Sequence, residues 1–230
     1  MIGPGTRPNE SEKEMRKISA LLGGLLVTTG VFLATSPAAH AASCDGTYTI
    51  IVGGTGDNDS NAPYWGGNIS QRVGYPAQPI GYNARQGVNE VNRLIRDQRN
   101  ACPGQHVKAI GFSLGAAVVH TWVTENWQTI DNTNAVLIAD PKRAAGPGNA
   151  GAAGHPAVAP WIGFPLAYTD NFFGNLPTLT LCTDDIICDI DASSGLPGYL
   201  WEGKHGNYNF NVDVYSDDAG GQWYNGVYYP

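Results

Sequence analysis

Residues 107–127 read Val-Lys-Ala-Ile-Gly-Phe-Ser-Leu-Gly-Ala-Ala-Val-Val-His-Thr-Trp-Val-Thr-Glu-Asn-Trp. An apolar run, Val107 to Ile110, enters Gly111-Phe112-Ser113-Leu114-Gly115, and a helix-like stretch over residues 116–127 leaves it. Strand, tight turn and helix in that order form the setting of a nucleophile elbow. Glycine on either side lets the backbone double back with little side chain in the way. The serine then stands on a strained turn, its hydroxyl exposed and a helix N-terminus behind it. A bare G-x-S-x-G recurs by chance, and a plain structural turn competes with the catalytic reading. The flanking strand and helix favour a nucleophile at Ser113.

Working outward, residues 48–52 form a β-rich run that exits through Gly53-Gly54-Thr55-Gly56. Residues 87–100 carry Val88, Val91, Leu94 and Ile95 at helical spacing, with arginines on the other face and Cys102-Pro103-Gly104 as the stop. Residues 107–112 are the next strand. Residues 135–139 are a buried-strand candidate ending at Asp140-Pro141, and residues 178–181 another, ending at Cys182-Thr183-Asp184-Asp185. Alternating strands and helices imply an α/β fold with a mostly parallel sheet and helices on both faces. Between the last two strands lie a Gly/Ala/Pro-rich loop, residues 144–156, and an apolar stretch, residues 161–173. That stretch reads equally as a closure of the core and as a substrate wall or flap built from Trp161, Phe164, Leu166, Phe172 and Phe173. The tail after His205, rich in Tyr, Asn and Gly, carries no assignable pattern.

The N-terminus has a different character. Met15-Arg16-Lys17 is a basic n-region, residues 18–33 an apolar h-region, and Ala39-His40-Ala41 a small-x-small cleavage site. Residues 1–41 are therefore expected to be an extension plus a secretory signal peptide, with 42–230 a single exported domain and no stable membrane anchor after cleavage. The mature part holds 9 basic against 17 acidic residues, a net charge of −8, with no basic run. That balance argues against nucleic acid as the main partner.

Cys44, Cys102, Cys182 and Cys188 all fall in the mature part, and an even count in an exported chain reads as disulfides. Three pairings are possible. Cys182 and Cys188 are near enough to close a small loop, which would leave Cys44 with Cys102. The C-x₂-C spacing typical of zinc sites is absent, and no metal or organic cofactor is expected.

A serine nucleophile needs a base and an orienting carboxylate, which in an α/β-hydrolase follow in the order Ser, Asp/Glu, His. Three histidines come after the elbow. His120 lies inside the following helix and cannot turn back to Ser113; His155 precedes the last predicted strand; His205 follows it. His205 is the candidate base. For the acid, Asp185 follows the strand at 178–181 and sits between two cysteines, with Asp184, Asp140, Asp189 and Asp191 as alternatives.

Several of these elements resemble the cutinase family. Val73-Gly74-Tyr75-Pro76-Ala77 is similar to its V-x-Y-P-A element, and Cys102-Pro103 before Gly-Phe-Ser-Leu-Gly-Ala to its C-P…G-Y-S-Q-G-A block. The segment from Cys182 to Cys188 resembles its acid loop, whose aspartate stands three residues before the second cysteine, and so selects Asp185. His205-Gly206-Asn207-Tyr208 is similar to its H-x-x-Y element. Gly54-Thr55-Gly56 and Asp140-Pro141-Lys142-Arg143 also resemble the PE-PPE-type serine hydrolases of actinobacteria. Leu114 replaces the usual glutamine, but the position serves the oxyanion hole through its backbone N–H. The exit at Gly54-Thr55-Gly56 departs from a cutinase-like Gly-Ser-Thr, which makes Thr55 (amide or hydroxyl) or the Gly56 amide the second donor.

The resemblance implies a three-layer α/β-hydrolase with two disulfides, acting as a secreted, monomeric serine esterase through Ser113, Asp185 and His205. Expected substrates are carboxylic esters of short to medium acyl chains in small molecules, lipids or polyesters. The segments at 144–173 and between Cys188 and His205 are long for a cutinase, which leaves the substrate less defined than the chemistry. Acyl transfer, a cell-envelope lipid substrate, and a non-catalytic binder on the same fold are the alternatives.

Overall fold

The computed structural model describes residues 44–230; the predicted leader, with its cleavage site, lies outside the described residues. Seven strands form one sheet: β1 (Thr47–Val52), β2 (Gln71–Arg72), β3 (His106–Phe112), β4 (Thr133–Ile138), β5 (Thr178–Cys182), β6 (Gly221–Tyr224) and β7 (Val227–Tyr229). Their order is β2-β1-β3-β4-β5-β6-β7. Every neighbouring pair is parallel except β6 and β7, which close an antiparallel edge. The central strands β3 and β4 are buried on both faces, with apolar runs over residues 109–112 and 135–138 and the buried polar residues Lys108, Thr133 and Asn134 at their entry ends.

Side-chain alternation divides the core in two. Ile50, Val52, Ala109 and Leu137 face one side, where they meet α1 (Gly81–Ala101) and α2 (Leu114–Asn126). Ile51, Ile110, Val136 and Ile138 face the other, where Trp65, Phe210, Val212 and Tyr215 cover them. α1 buries Ala84, Val88, Val91 and Ile95 along one stripe and pairs its outer Arg85 and Arg93 with Glu125, Glu90 and Asp97. α2 is buried on every side from Leu114 to Val123, the mark of a central helix. Two short helices follow, α3 (Ala159–Ile162) and α4 (Gly195–Leu200). Among the described residues no helix is long and apolar enough to cross a membrane.

Strand and helix ends shift by one or two residues, β2 is added, and two larger differences from the sequence reading stand out. α1 starts at Gly81, six residues before the apolar periodicity begins at 87. Its first turns meet their neighbours through small residues: a Cβ on Gly81 would stand 2.1 Å from the carbonyl oxygen of Phe164. The tail, unassigned from sequence, supplies β6 and β7. They are joined by Asn225-Gly226, both at positive φ (48° and 81°), the two-residue turn that Asn-Gly favours.

The disulfides are Cys44–Cys102 and Cys182–Cys188. The first ties the start of β1 to the end of α1 across a separation of 58 residues. Replacing Cys44 and Cys102 by serine is expected to cost about 2–5 kcal/mol, as for native disulfides generally. Urea unfolding of both forms checks this; equal midpoints would contradict it.

Candidate active site

The carboxyl ends of β1, β3, β4 and β5 lie along one edge of the sheet, with Val52 beside Gly111, Phe112 beside Ile138 and Ile138 beside Leu181. Loops leaving that edge carry the candidate residues, the edge at which open parallel sheets place their sites. Ser113 is the first residue past β3. Its φ of 55° and ψ of −119° lie in a sparsely populated region for a residue with a Cβ. Its N–H donates to the carbonyl of Ile138 at 2.9 Å, which pins the turn to β4.

Both glycines of the elbow are demanded by backbone contact. A Cβ on Gly111 would stand 2.3 Å from the Gly115 carbonyl oxygen. One on Gly115 would stand 2.1 Å from the carbonyl oxygen of Val52 and 2.5 Å from that of Gly53. The helix N-terminus therefore presses on two strand exits at once.

Ser113, His205 and Asp185 come together. His205 Nε2 lies 2.9 Å from Ser113 Oγ, and Nδ1 lies 2.8 Å from Asp185 Oδ2. An ionised carboxylate only accepts, so Nδ1 carries the hydrogen and Nε2 is left to accept from the serine hydroxyl. Asp185 is 1% exposed, and its lone pairs are used: Oδ1 accepts from the Ile187 N–H at 3.0 Å, and Oδ2 accepts also from the Tyr208 hydroxyl at 3.0 Å. Burial, with the Asp185 charge next, pushes the Tyr208 phenol well above its usual range, so it stays a donor. Its oxygen accepts from the Thr183 N–H at 3.2 Å. The His205 ring stacks on Phe112, 4.8 Å between centroids, with Tyr199 at 5.1 Å.

The alternative residues have other partners. Asp184 accepts from the Ser193 hydroxyl and the Ser194 N–H at 2.8 and 2.9 Å. The Ser194 contact first, then that of Ser193, holds its carboxyl below the usual range. Asp189 accepts from the Tyr224 hydroxyl at 2.6 Å, and Asp140 is 2.6 Å from His120 Nδ1. His155 is exposed and accepts from the Ala157 N–H.

On the oxyanion side, the Leu114 N–H belongs to the first turn of α2, where no earlier carbonyl is available to it. Gly56 is corrected: its amide donates to the Ala77 carbonyl at 2.7 Å and is spent. Thr55 makes no hydrogen bond within the described residues through amide or hydroxyl, and it lines the same cavity as Ser113. The V-x-Y-P-A element is the scaffold of this loop. The Tyr75 hydroxyl donates to Gly53 O at 2.6 Å, Ala77 O takes the Gly56 amide, and Asn58 Oδ1 accepts from Ala77 N–H at 2.9 Å.

Beside the serine lies a cavity of about 250 Å³. Its apolar wall is Val158, Ile162, Leu166, Ile187 and Tyr199, with Thr55 and Leu114 at the serine end. Of the five predicted wall residues only Leu166 lines it. Trp161 and Phe164 are 84% and 75% exposed: α3 turns Ile162 inward and Trp161 outward, and Phe164, past the helix end, packs under the Arg85 guanidinium at 5.5 Å. Phe172 packs edge-on to Trp127 and Phe173 edge-on to His120, so both serve as struts behind the wall. Ile187 and Tyr199 were missed because they come from the acid loop and α4, where no periodicity marks them. A larger hollow, about 680 Å³ between β5, β6 and residues 209–220, shares no lining residue with this one.

Residues 39–211 match the family model described as Cutinase, and the chain belongs to the cutinase family. Among solved structures it is similar to a cutinase-like protein from Cryptococcus sp., at 19% identity and a TM-score of 0.51, over 74% of this chain and 89% of that one. Lysin B from Mycobacteriophage D29 matches at 22% identity and a TM-score of 0.39, over 45% of this chain. The chain spans half of that protein's length. No curated protein matches the chain in sequence. As a cutinase-family member it is an esterase- or lipase-type hydrolase.

Gly115→Ala forces its methyl onto two backbone carbonyls, so a loss of at least about 1–3 kcal/mol in unfolding free energy is expected. Chemical denaturation checks this, and a variant as stable as the parent would contradict the close contact.

Proposed function

We propose that this cutinase-family chain is a secreted serine esterase that hydrolyses carboxylic esters of short to medium acyl length through Ser113, His205 and Asp185. The relay of two contacts, 2.9 Å from hydroxyl to Nε2 and 2.8 Å from Nδ1 to carboxylate, is the observation that carries it. Ser113 Oγ bonds to the ester carbonyl carbon while its proton passes to Nε2. The oxyanion that forms is held by the Leu114 amide and by Thr55. The intermediate collapses, the C–O bond to the alcohol breaks, and Nε2 returns the proton to the departing oxygen. Water then attacks the acyl-enzyme with His205 as base, releasing the acid and restoring the hydroxyl. Asp185 stays ionised and stabilises the imidazolium formed in each half-reaction.

A cavity near 250 Å³ is small beside the ~300–1,000 Å³ of sites for drug-sized ligands, which favours a short acyl group. Exposed apolar residues adjoin three lining positions in sequence: Ile80 beside Pro79, Trp161 beside Ile162 and Leu200 beside Tyr199. Such a rim suits an ester presented by a lipid or polymer surface. Trp161 and Phe164 stay exposed instead of folding over the serine, which supports hydrolysis over acyl transfer. Removal of residues 1–41 as a leader and export of a monomeric 42–230 domain complete the reading, in keeping with two disulfides.

Steady-state rates on p-nitrophenyl esters test it. Ser113→Ala is expected to lower kcat by roughly 10⁶-fold and Asp185→Asn by about 10⁴-fold, with short to medium chains the best substrates. A Ser113→Ala protein that keeps its rate would overturn the nucleophile; rates rising steadily to long acyl chains would overturn the chain-length assignment.

A further inference from the structure

His120 lies on α2 beyond Ser113 and is wholly buried. Its Nδ1 is 2.6 Å from Asp140 Oδ2 and its Nε2 is 3.1 Å from Asp170 Oδ1. Carboxylates offer no hydrogen, so both contacts are hydrogen bonds only when the ring is the doubly protonated imidazolium. Neutral imidazole would satisfy one and set a lone pair against the other carboxylate. The surrounding charges point the same way. Asp140 Oδ1 accepts from the Lys142 N–H at 2.9 Å, and Lys142 Nζ donates to Tyr168 O at 3.0 Å and lies 4.0 Å from Asp170 Oδ2. Two carboxylates, one ammonium and one imidazolium sum to zero. Losing the ring proton leaves an uncompensated negative charge in the interior, which is costly. Two further charges bear on this cluster: Glu125, along α2, whose carboxylate is paired with Arg85 at 2.7 Å, and Arg143, which feels the Asp140 charge but is countered first by Asp189. The Phe173 ring packs edge-on to the imidazole.

The bridge joins three elements: α2, the loop after β4, and residues 163–173. The last two contribute Pro141 and Leu166 to the cavity beside Ser113. Asp170 also accepts from the Phe172 N–H at 3.0 Å and donates its backbone N–H to Lys142 O at 3.1 Å, so its carboxylate joins the Tyr168 N–H to Ala153 O bond in holding the segment.

We propose that His120, as an imidazolium held between Asp140 and Asp170, is a positioning residue that sets the wall of the acyl cavity, and that its deprotonation releases that wall. The role rests on the reading that the cavity receives the acyl group. Burial alone would lower the His120 pKa, but the Asp140 and Asp170 carboxylates outweigh it and raise it. Burial likewise pushes Asp170 up, yet its hydrogen bond to His120, with that ring's charge and Lys142, brings it to about 2. The stabilisation from a raised histidine is complete below the unfolded pKa and lost as pH rises through the folded one. That from a depressed aspartate is present above its unfolded pKa and lost as pH falls through about 2. The clamp is therefore closed while the ring keeps its second proton and opens as pH rises through the folded pKa of His120, which lies above its ordinary value.

The test compares hexanoyl with acetyl p-nitrophenyl esters from neutral to alkaline pH, as a ratio of kcat/KM, so that titration of the triad cancels. In the parent the ratio is expected to fall by roughly tenfold as His120 deprotonates, the lower end of what a hydrogen bond to a charged group contributes. The fall should lie in the hexanoyl KM. In Asp170→Asn the amide can donate to neutral Nε2, and the ratio should stay flat; in His120→Gln it should be low throughout. Ring ¹⁵N shifts of His120 and hydrogen exchange at the Tyr168 and Asp170 amides, referenced to Leu137, need no catalysis. They should show both ring nitrogens protonated at neutral pH and protection lost with the ring's own midpoint. A neutral ring at neutral pH, or a ring that titrates while protection or the ratio stays unchanged, would overturn the proposal. Failure of the esterase reading shows separately, as a Ser113→Ala protein still active on the acetyl ester.

Discussion

At the exits of β1 and β3 three stretches of backbone meet with no side chain between them. Gly115, in the first turn of α2, lies where any Cβ would enter the carbonyls of Val52 and Gly53, and Gly111 is closed off in turn by Gly115. This contact does two things at once. It forces Ser113 into its unusual φ and ψ, so the hydroxyl stands off the sheet edge. It also brings the loop after β1 against the α2 N-terminus, so Thr55 and Leu114 share a cavity with the serine. The rest of the site is hung around that point.

The acid side is held by different means. Asp185 sits in the loop that the Cys182–Cys188 disulfide closes at the end of β5, and its position is fixed by Tyr208 and by the Ile187 amide. Arg143, 1% exposed, reaches the same loop from the loop after β4: its Nε donates to Cys188 O at 2.8 Å, and its other nitrogens donate to the carbonyls of Pro147 and Asn149. Lys142, its neighbour, serves the other wall through Tyr168 and Asp170. Asp140-Pro141-Lys142-Arg143 thus distributes two buried cations to the two sides of the cavity. Desolvating them is offset by carbonyls and carboxylates that the loops would otherwise leave unpaired.

The parts of this arrangement that obey short-range rules were legible in the sequence. Apolar runs marked β1, β3, β4 and β5, and glycine spacing marked the elbow. The resemblance of the acid loop and of the H-x-x-Y element to the cutinase family pointed to Asp185 and His205. Parts fixed by tertiary contact were not. Trp161 and Phe164 looked like wall residues because aromatics concentrate there, yet helix phase turns Ile162 inward instead. Gly56 looked like a donor until Ala77 claimed its amide. His120 lies between Asp140 and Asp170, and no local pattern in the sequence marks the two carboxylates that enclose it. The β6–β7 hairpin did carry a local signal, Asn225-Gly226, in a tail whose tyrosines and glycines hid the alternation.

The central claim is that one hydroxyl, and only one, is made nucleophilic by an imidazole that a buried carboxylate orients. Fluorophosphonate labelling followed by peptide mass mapping, on the folded protein and on His205→Ala, addresses it most directly. A single adduct on Ser113 that forms readily in the parent and is lost or greatly slowed in the variant is expected. An adduct on another residue, no adduct at all, or labelling that does not depend on His205 would contradict it.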